Sequence, residues 1–232
     1  MFKEEELKKI VAKRRSDRLK GYKCLGDYQG GLFDCEFVSP YSKGAHNFDS
    51  DVMVLLQDWS SDHALQRSKG PSELGRDPNL PTNRNLDSLL KSALGMEFHE
   101  TYTTNLFPYI KGGGLSSRIP FVDLVFAAEE FAIPQIRIVA PRLVVCLGKN
   151  TFNALRVAVA KLELTPGLSR CHDMAGAIDS PFDIEFDGCK IAIWAQAHPG
   201  AWGQRNRNKG DPERASNDWK RMSRAVGLSS NS

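Results

Sequence analysis

Val52-Met53-Val54-Leu55-Leu56, followed at once by Gln57-Asp58-Trp59, is an uninterrupted apolar run that closes on an acid. Five apolar residues without alternation are the pattern of a strand buried on both faces, and hence of a parallel sheet covered by helices on either side. Outward from it the chain repeats the pattern. Tyr102-Thr103-Thr104-Asn105-Leu106-Phe107 is β-branched and aromatic and stops at Pro108. Arg142 to Gly148 reads as a further buried strand, and Ile191 to Trp194 as the last. Phe182 to Phe186 is compatible with a short strand, joined to the last one by a hairpin at Asp187-Gly188.

Helical periods fill the gaps. They are read at Glu4 to Lys20, at Leu86 to Leu94, at Ile119 to Ile138 with a break or kink at Pro134, at Lys149 to Lys161, and from Pro212 to Val226. Strands alternating with helices predict a three-layer α/β/α fold around a central, mainly parallel sheet of four or five strands. Gly21 to Asn47 reads as an ordered irregular stretch or short hairpin, and Ser60 to Asn85 as a long polar loop. Residues 1–47 are an N-terminal helix and irregular extension, 211–232 a C-terminal helix and tail frayed at Ser229 to Ser232, and the whole 1–232 a single domain.

With 232 residues, 41% hydrophobic and 25% charged, the composition is that of a globular domain, and a net charge of +3 permits a nucleic-acid partner without demanding one. Met1 to Lys20 is a mixed-charge segment rather than a signal peptide, and no apolar run approaches a membrane span. A cytoplasmic monomer without a membrane partner is expected. The five cysteines, Cys24, Cys35, Cys146, Cys171 and Cys189, show no C-x-x-C spacing and read as reduced thiols, with no metal site among them.

In open parallel sheets, ligands gather beyond the carboxyl ends of the strands. Asp58, Asn105, Gly148 and His198 each fall at such an end. After Ala197-His198-Pro199, the segment Gly200 to Lys209 reads as a loop carrying Gln204, Arg205, Asn206, Arg207 and Lys209, so a titratable group and a phosphate-binding surface come together. Asp58 and Asn105 also suit simple capping roles, and Gly148 a simple strand end.

Taken in order, Val52 to Asp58, Thr104-Asn105, Pro141 to Gly148 and Ala197-His198-Pro199 resemble the motif set of the uracil-DNA glycosylase superfamily. The resemblance covers most of Asp51 to Trp202. It implies a DNA glycosylase that hydrolyses the N-glycosidic bond of a flipped-out uracil or other modified pyrimidine and leaves an abasic site. By position, Asp58 resembles the aspartate that activates water and steadies the cationic sugar, and His198 the histidine that stabilises the departing base. Gln57 resembles the residue whose backbone contacts the base, and Asn105 the amide that reads it. Trp59 adjoins the pocket. Gly200 to Gly203 lies where the family has its minor-groove probe, with Trp202 as the wedge; Arg205, Arg207 and Lys209 are expected to hold flanking phosphates.

The chemistry is consistent with this assignment. An oxocarbenium-like sugar and an anionic base call for a carboxylate on one side and a hydrogen-bond donor on the other, and an amide pairs with a pyrimidine edge once the base has left the stack.

Departures from the pattern bear on the base. Trp59-Ser60-Ser61 replaces the family's smaller set, Gly75 to Thr82 offers no stacking ring, and Gly200 stands where Ser is common. Leu106-Phe107-Pro108-Tyr109 has no cysteine after Thr104-Asn105, so neither an iron-sulfur cluster nor any other cofactor is expected. Three readings stay open: excision of uracil with a variant pocket, excision of a bulky hypermodified base from phage DNA as a defence activity, and a non-catalytic DNA-binding relative. A flavodoxin-like nucleotide-binding protein is the weaker alternative, since neither G-x-G-x-x-G nor a P-loop occurs.

Overall fold

A computed structural model describes residues 2–70 and 72–228. The apolar runs become central strands because each serves two cores. In β1 (Val52–Asp58), Met53 and Leu55 face one hydrophobic cluster while Val52, Val54 and Leu56 face the other, and all five are at most 3% exposed. The third strand divides in the same way, Val144 and Cys146 on one side, Leu143, Val145 and Leu147 on the other. A strand of this kind forfeits roughly 1.5–3 kcal/mol per large side chain if it is left exposed, so it can only sit inside.

Among the described residues the sheet has five strands in the order β2-β1-β3-β5-β4, comprising β1, β2 (Tyr102–Phe107), β3 (Leu143–Leu147), β4 (Phe182–Phe186) and β5 (Cys189–Gln196). All neighbours are parallel except β4, which pairs antiparallel with β5 across the Asp187-Gly188 turn. Helices α1 (Phe2–Ser16), α4 (Phe121–Ala127), α5 (Ile133–Val139), α6 (Lys149–Lys161) and α7 (Met174–Ile178) cover one face. On the other face lie α3 (Pro81–Leu94) and α9 (Arg214–Val226), the latter burying Ala215, Trp219 and Met222 along one stripe. This is the expected three-layer α/β/α arrangement. No helix among the described residues is long and apolar enough to cross a membrane.

Several boundaries differ from expectation for local reasons. Ser60 to Asn85 is not one loop, because α2 (Asp62–Arg67) and the start of α3 lie within it. Gly21 to Asn47 forms no hairpin; it runs through single 3-10 turns that pack over the edge strand β2. Pro134 does not end its helix. The π-turn Ala128–Ala132, closed by Ile133 N–H donating to Ala128 O, takes up the ring and the missing donor, and the path continues into α5. The last helix begins at Arg214 rather than at Pro212, since Asp211 accepts from Glu213 N–H and Arg214 N–H and holds Pro212 in a turn. Ser229 to Ser232 lies outside the described residues.

Candidate functional site

Because β1, β3 and β5 are adjacent and parallel, their carboxyl ends deliver Asp58, Gly148 and His198 in that order along one edge of the sheet. Two strand spacings of roughly 4.8 Å separate the β1 and β5 backbones. Gly148, at φ +98°, lies between them, and a Cβ there would meet nothing within 4 Å. The result is a cleft of about 790 Å³ with Asp58 and Gln57 on one wall, His198 on the other, and Gly148, Lys149 and Asn150 along its floor. Thr82, Asn83, Ser116, Ser117 and Arg118 complete the rim.

Both oxygens of Asp58 are engaged. Oδ1 accepts from Gln57 Nε2 at 2.9 Å and Oδ2 pairs with Lys111 Nζ at 2.8 Å. Lys111 is not part of a flexible basic loop, as its Gly-rich sequel suggests. It is 5% exposed, its ammonium donates to Leu115 O at 2.7 Å, and its carbonyl accepts from Asp62 N–H at 2.9 Å. The sequence reads Lys111-Gly112-Gly113-Gly114 as a flexible basic loop and gives no sign that this lysine is buried.

His198 is fixed by its own loop. Its Nδ1 accepts from Gly200 N–H at 3.0 Å, which places the proton of a neutral ring on Nε2. Gln204 Nε2 donates to His198 O and Asn85 Nδ2 to Pro199 O, so side chains of two elements hold the turn. Burial in the cleft wall lowers the imidazole pKa from its ordinary value, the Asp58 charge opposes that shift, and Lys111 adds to it. The residue's surface is still open to the cleft, so the shift is a bias toward the neutral ring rather than a block on protonation. A Cβ at Gly200 would lie 2.9 Å from Nδ1 and 3.0 Å from Thr82 Oγ1, so a side chain here requires the imidazole or the threonine to shift.

Asn105 does not reach the cleft. It is 1% exposed, its Oδ1 accepts from Ser39 Oγ, and its Nδ2 has no partner among the described residues. It borders a small internal space with Ser39, Tyr109 and Trp59, and Trp59 is the residue that also lines the cleft. The indole is held there by Nε1 donating to Gly75 O at 2.9 Å. The cleft therefore brings together Gln57, Asp58, Trp59 and His198 and leaves Asn105 behind the tryptophan.

No family model matches this chain, and no curated protein matches it either.

The segment after His198 is not a loop. Gly200 caps α8 (Ala201–Arg207), whose first turn takes the place of the expected groove probe. Trp202 on it is 75% exposed, with the Arg205 guanidinium 5.9 Å from its ring, and Arg205 and Lys209 are exposed. Leu80 and Leu115 add exposed apolar groups on the cleft rim. Arg207 is committed elsewhere, its Nε and Nη2 donating to Asp218 of α9 at 2.5 and 2.9 Å with both side chains largely buried. No three His, Cys, Asp or Glu side chains converge as a metal site among the described residues.

The two arginines are thus expected to separate. If the exposed Arg205 meets a phosphate, as the sequence leads one to expect, Arg205→Ala lowers the salt slope of DNA binding by about 1. Arg207→Ala strands the Asp218 carboxylate and costs about 3 kcal/mol of stability. Salt titrations of binding and thermal melts of both variants check this; salt slopes equal to the parent's in both variants would place neither at a phosphate.

Proposed function

We propose that this protein is a DNA glycosylase of the uracil-DNA glycosylase type, hydrolysing the N-glycosidic bond of a base flipped out of DNA. The observation that carries the reading is the placement of Asp58 and His198 on opposite walls of one cleft, with side-chain-free Gly148 between them. As the bond to the base lengthens, positive charge grows on the sugar and negative charge on the base. Asp58 faces the first, accepting a proton from the nucleophile that adds at C1′. His198 Nε2–H faces the second, donating to the carbonyl oxygen of the departing base, as an oxyanion donor does.

One observation favours a base larger than uracil. The cleft volume of about 790 Å³ lies toward the upper end of pockets that enclose drug-sized ligands. Its walls offer hydroxyl and amide groups from Thr82, Ser116, Ser117 and Asn150, and from Gly75 to Thr82 only Leu80 and Thr82 reach it, neither being a ring. Such walls suit a pyrimidine with a polar substituent. Asn105 is buried and does not line the cleft, whereas Asn150 stands exposed on its floor. A defensive role against modified phage DNA follows from that substrate; a repair role follows from uracil.

The test is to incubate the protein with single- and double-stranded oligonucleotides, each carrying one modified base, and to detect free base by mass spectrometry. Release of one base class is the expected outcome. A mobility shift on every duplex with no base released would leave a DNA-binding relative instead.

The histidine adds a prediction on pH. Protonation removes the Nδ1 lone pair that accepts Gly200 N–H and so unseats the ring; because the pKa is lowered, excision persists below the ordinary imidazole value of about 6.5 and falls only as pH passes the lower native value. The stability contribution has the same sign, being present above pH 6.5 and lost as pH falls. An acid limb of kcat at or above pH 6.5 that vanishes in His198→Gln would contradict the bias.

A further inference from the structure

We infer that Lys111 makes this site a lyase as well: its amine adds to C1′ of the abasic sugar and the strand is cut by β-elimination. The inference rests on the glycosylase reading for the site but not on which base is removed. Lys111 Nζ lies 2.8 Å from Asp58 Oδ2 on the cleft wall, the two side chains being 7% and 12% exposed, and Leu115 O holds the ammonium from the far side.

A cation in that position works against the role of Asp58 as a bare counter-charge. At the distance of a bound sugar, two opposite unit charges in contact largely cancel, so the carboxylate steadies a cationic sugar less well than it would alone. Burying the pair also carries a desolvation cost. The arrangement is instead that of an amine nucleophile with its own proton acceptor in place.

The steps balance without an oxidant or reductant. Lys111 passes a proton across the 2.8 Å ion-pair contact to Asp58, and its lone pair adds to the C1′ aldehyde of the opened sugar. The carbinolamine loses water to give an iminium. Asp58, having returned its proton to the hydroxyl that left as water, takes the proton from C2′, the C3′–O bond breaks, and the 3′ phosphate departs with the electron pair. Water then hydrolyses the unsaturated imine and frees Lys111.

The experiment uses a duplex with one preformed abasic site, so that no base has to be excised first, incubated with the full chain and sodium borohydride. We expect a covalent protein–DNA adduct whose peptide map places the reduced bond on Lys111. It should fall to the level of the sample without borohydride in Lys111→Arg, which keeps the ion pair. No adduct, an adduct on another amine, or one undiminished in Lys111→Arg overturns the inference; mapping on the unmodified chain does not depend on how the variant folds. Base release from a modified duplex without trapping leaves the glycosylase and removes the lyase. Trapping at Lys111 without base release from any duplex does the reverse.

Discussion

Asp58→Asn is expected to lower base release by about 10²–10⁴-fold, the range that a positioned general base supplies. The substitution keeps the shape of the side chain and an acceptor for Gln57 Nε2, so the loss reports charge and proton acceptance rather than packing. It also acts on stability. Lys111 loses its counter-charge at a site where its side chain is 7% exposed, and breaking such a pair costs about 3–5 kcal/mol. For a chain of this size that corresponds to a fall in Tm of roughly 6–20 °C. Asp58→Asn combined with Lys111→Met should recover most of the lost stability and none of the activity, because the unpaired ammonium is gone while the base is still missing. Melts and base-release rates for the two single variants and the double variant complete the cycle. Base release at the native rate in Asp58→Asn would end the catalytic assignment; an unchanged Tm would show that the pair is solvated.

The parts of this fold legible in the sequence are those set by near neighbours. Val52 to Leu56 had to be a central strand because five consecutive apolar side chains cannot share one solvated face, and the observed division between two cores is that constraint realised. The edge where Asp58, Gly148 and His198 meet followed from alternation of strands and helices, since parallel strands all end on the same side. Pro134 was read correctly as a disturbance, but its outcome was decided by packing. Phe131, Ala132, Ile133 and Ile136 are buried on the sheet, so a widened turn costs less than withdrawing that face from the core.

What stayed hidden depended on distant partners. Lys111 is buried because Asp58, on another strand, neutralises it, and nothing beside residue 111 encodes that. Arg207 finds Asp218 eleven residues on, a spacing that corresponds to no pairing within a helix, and so leaves the phosphate surface. Asn105 does not stand at its strand end as expected: β2 runs on to Phe107, which pairs with Asp58, and Asn105 pairs with Leu56 inside the sheet, where Ser39 from the irregular segment over β2 takes its carbonyl and no periodic signal foretells that packing. α8 was masked by its glycines: Pro199-Gly200 punctuates the chain, and Gly203 reads as loop although its lack of a side chain is what seats the helix against His198.

That last contact supports the second large effect, expected from Gly203→Ala. In an exposed helix this change stabilises by about 1 kcal/mol. Here the new Cβ would lie 2.1 Å from His198 O, 2.9 Å from His198 C and 3.0 Å from His198 Cβ. These atoms belong to the main chain and the root of the side chain, so no rotamer change relieves the clash, and either α8 or the end of β5 must move by about an ångström. Overpacking of this kind costs about 1–3 kcal/mol, which outweighs the gain in propensity and leaves the variant less stable than the parent. The effect on catalysis is larger, because the part that moves carries the imidazole: a displacement of that size costs about 100-fold in rate, and the Gly200 N–H that fixes the Nδ1 acceptor moves with it. Base release measured well below the melting transition should therefore fall in kcat more than KM rises. A Gly203→Ala protein that melts higher than the parent and excises at the parent rate would mean that α8 does not seat the histidine, and the tautomer argument for His198 would fall with it.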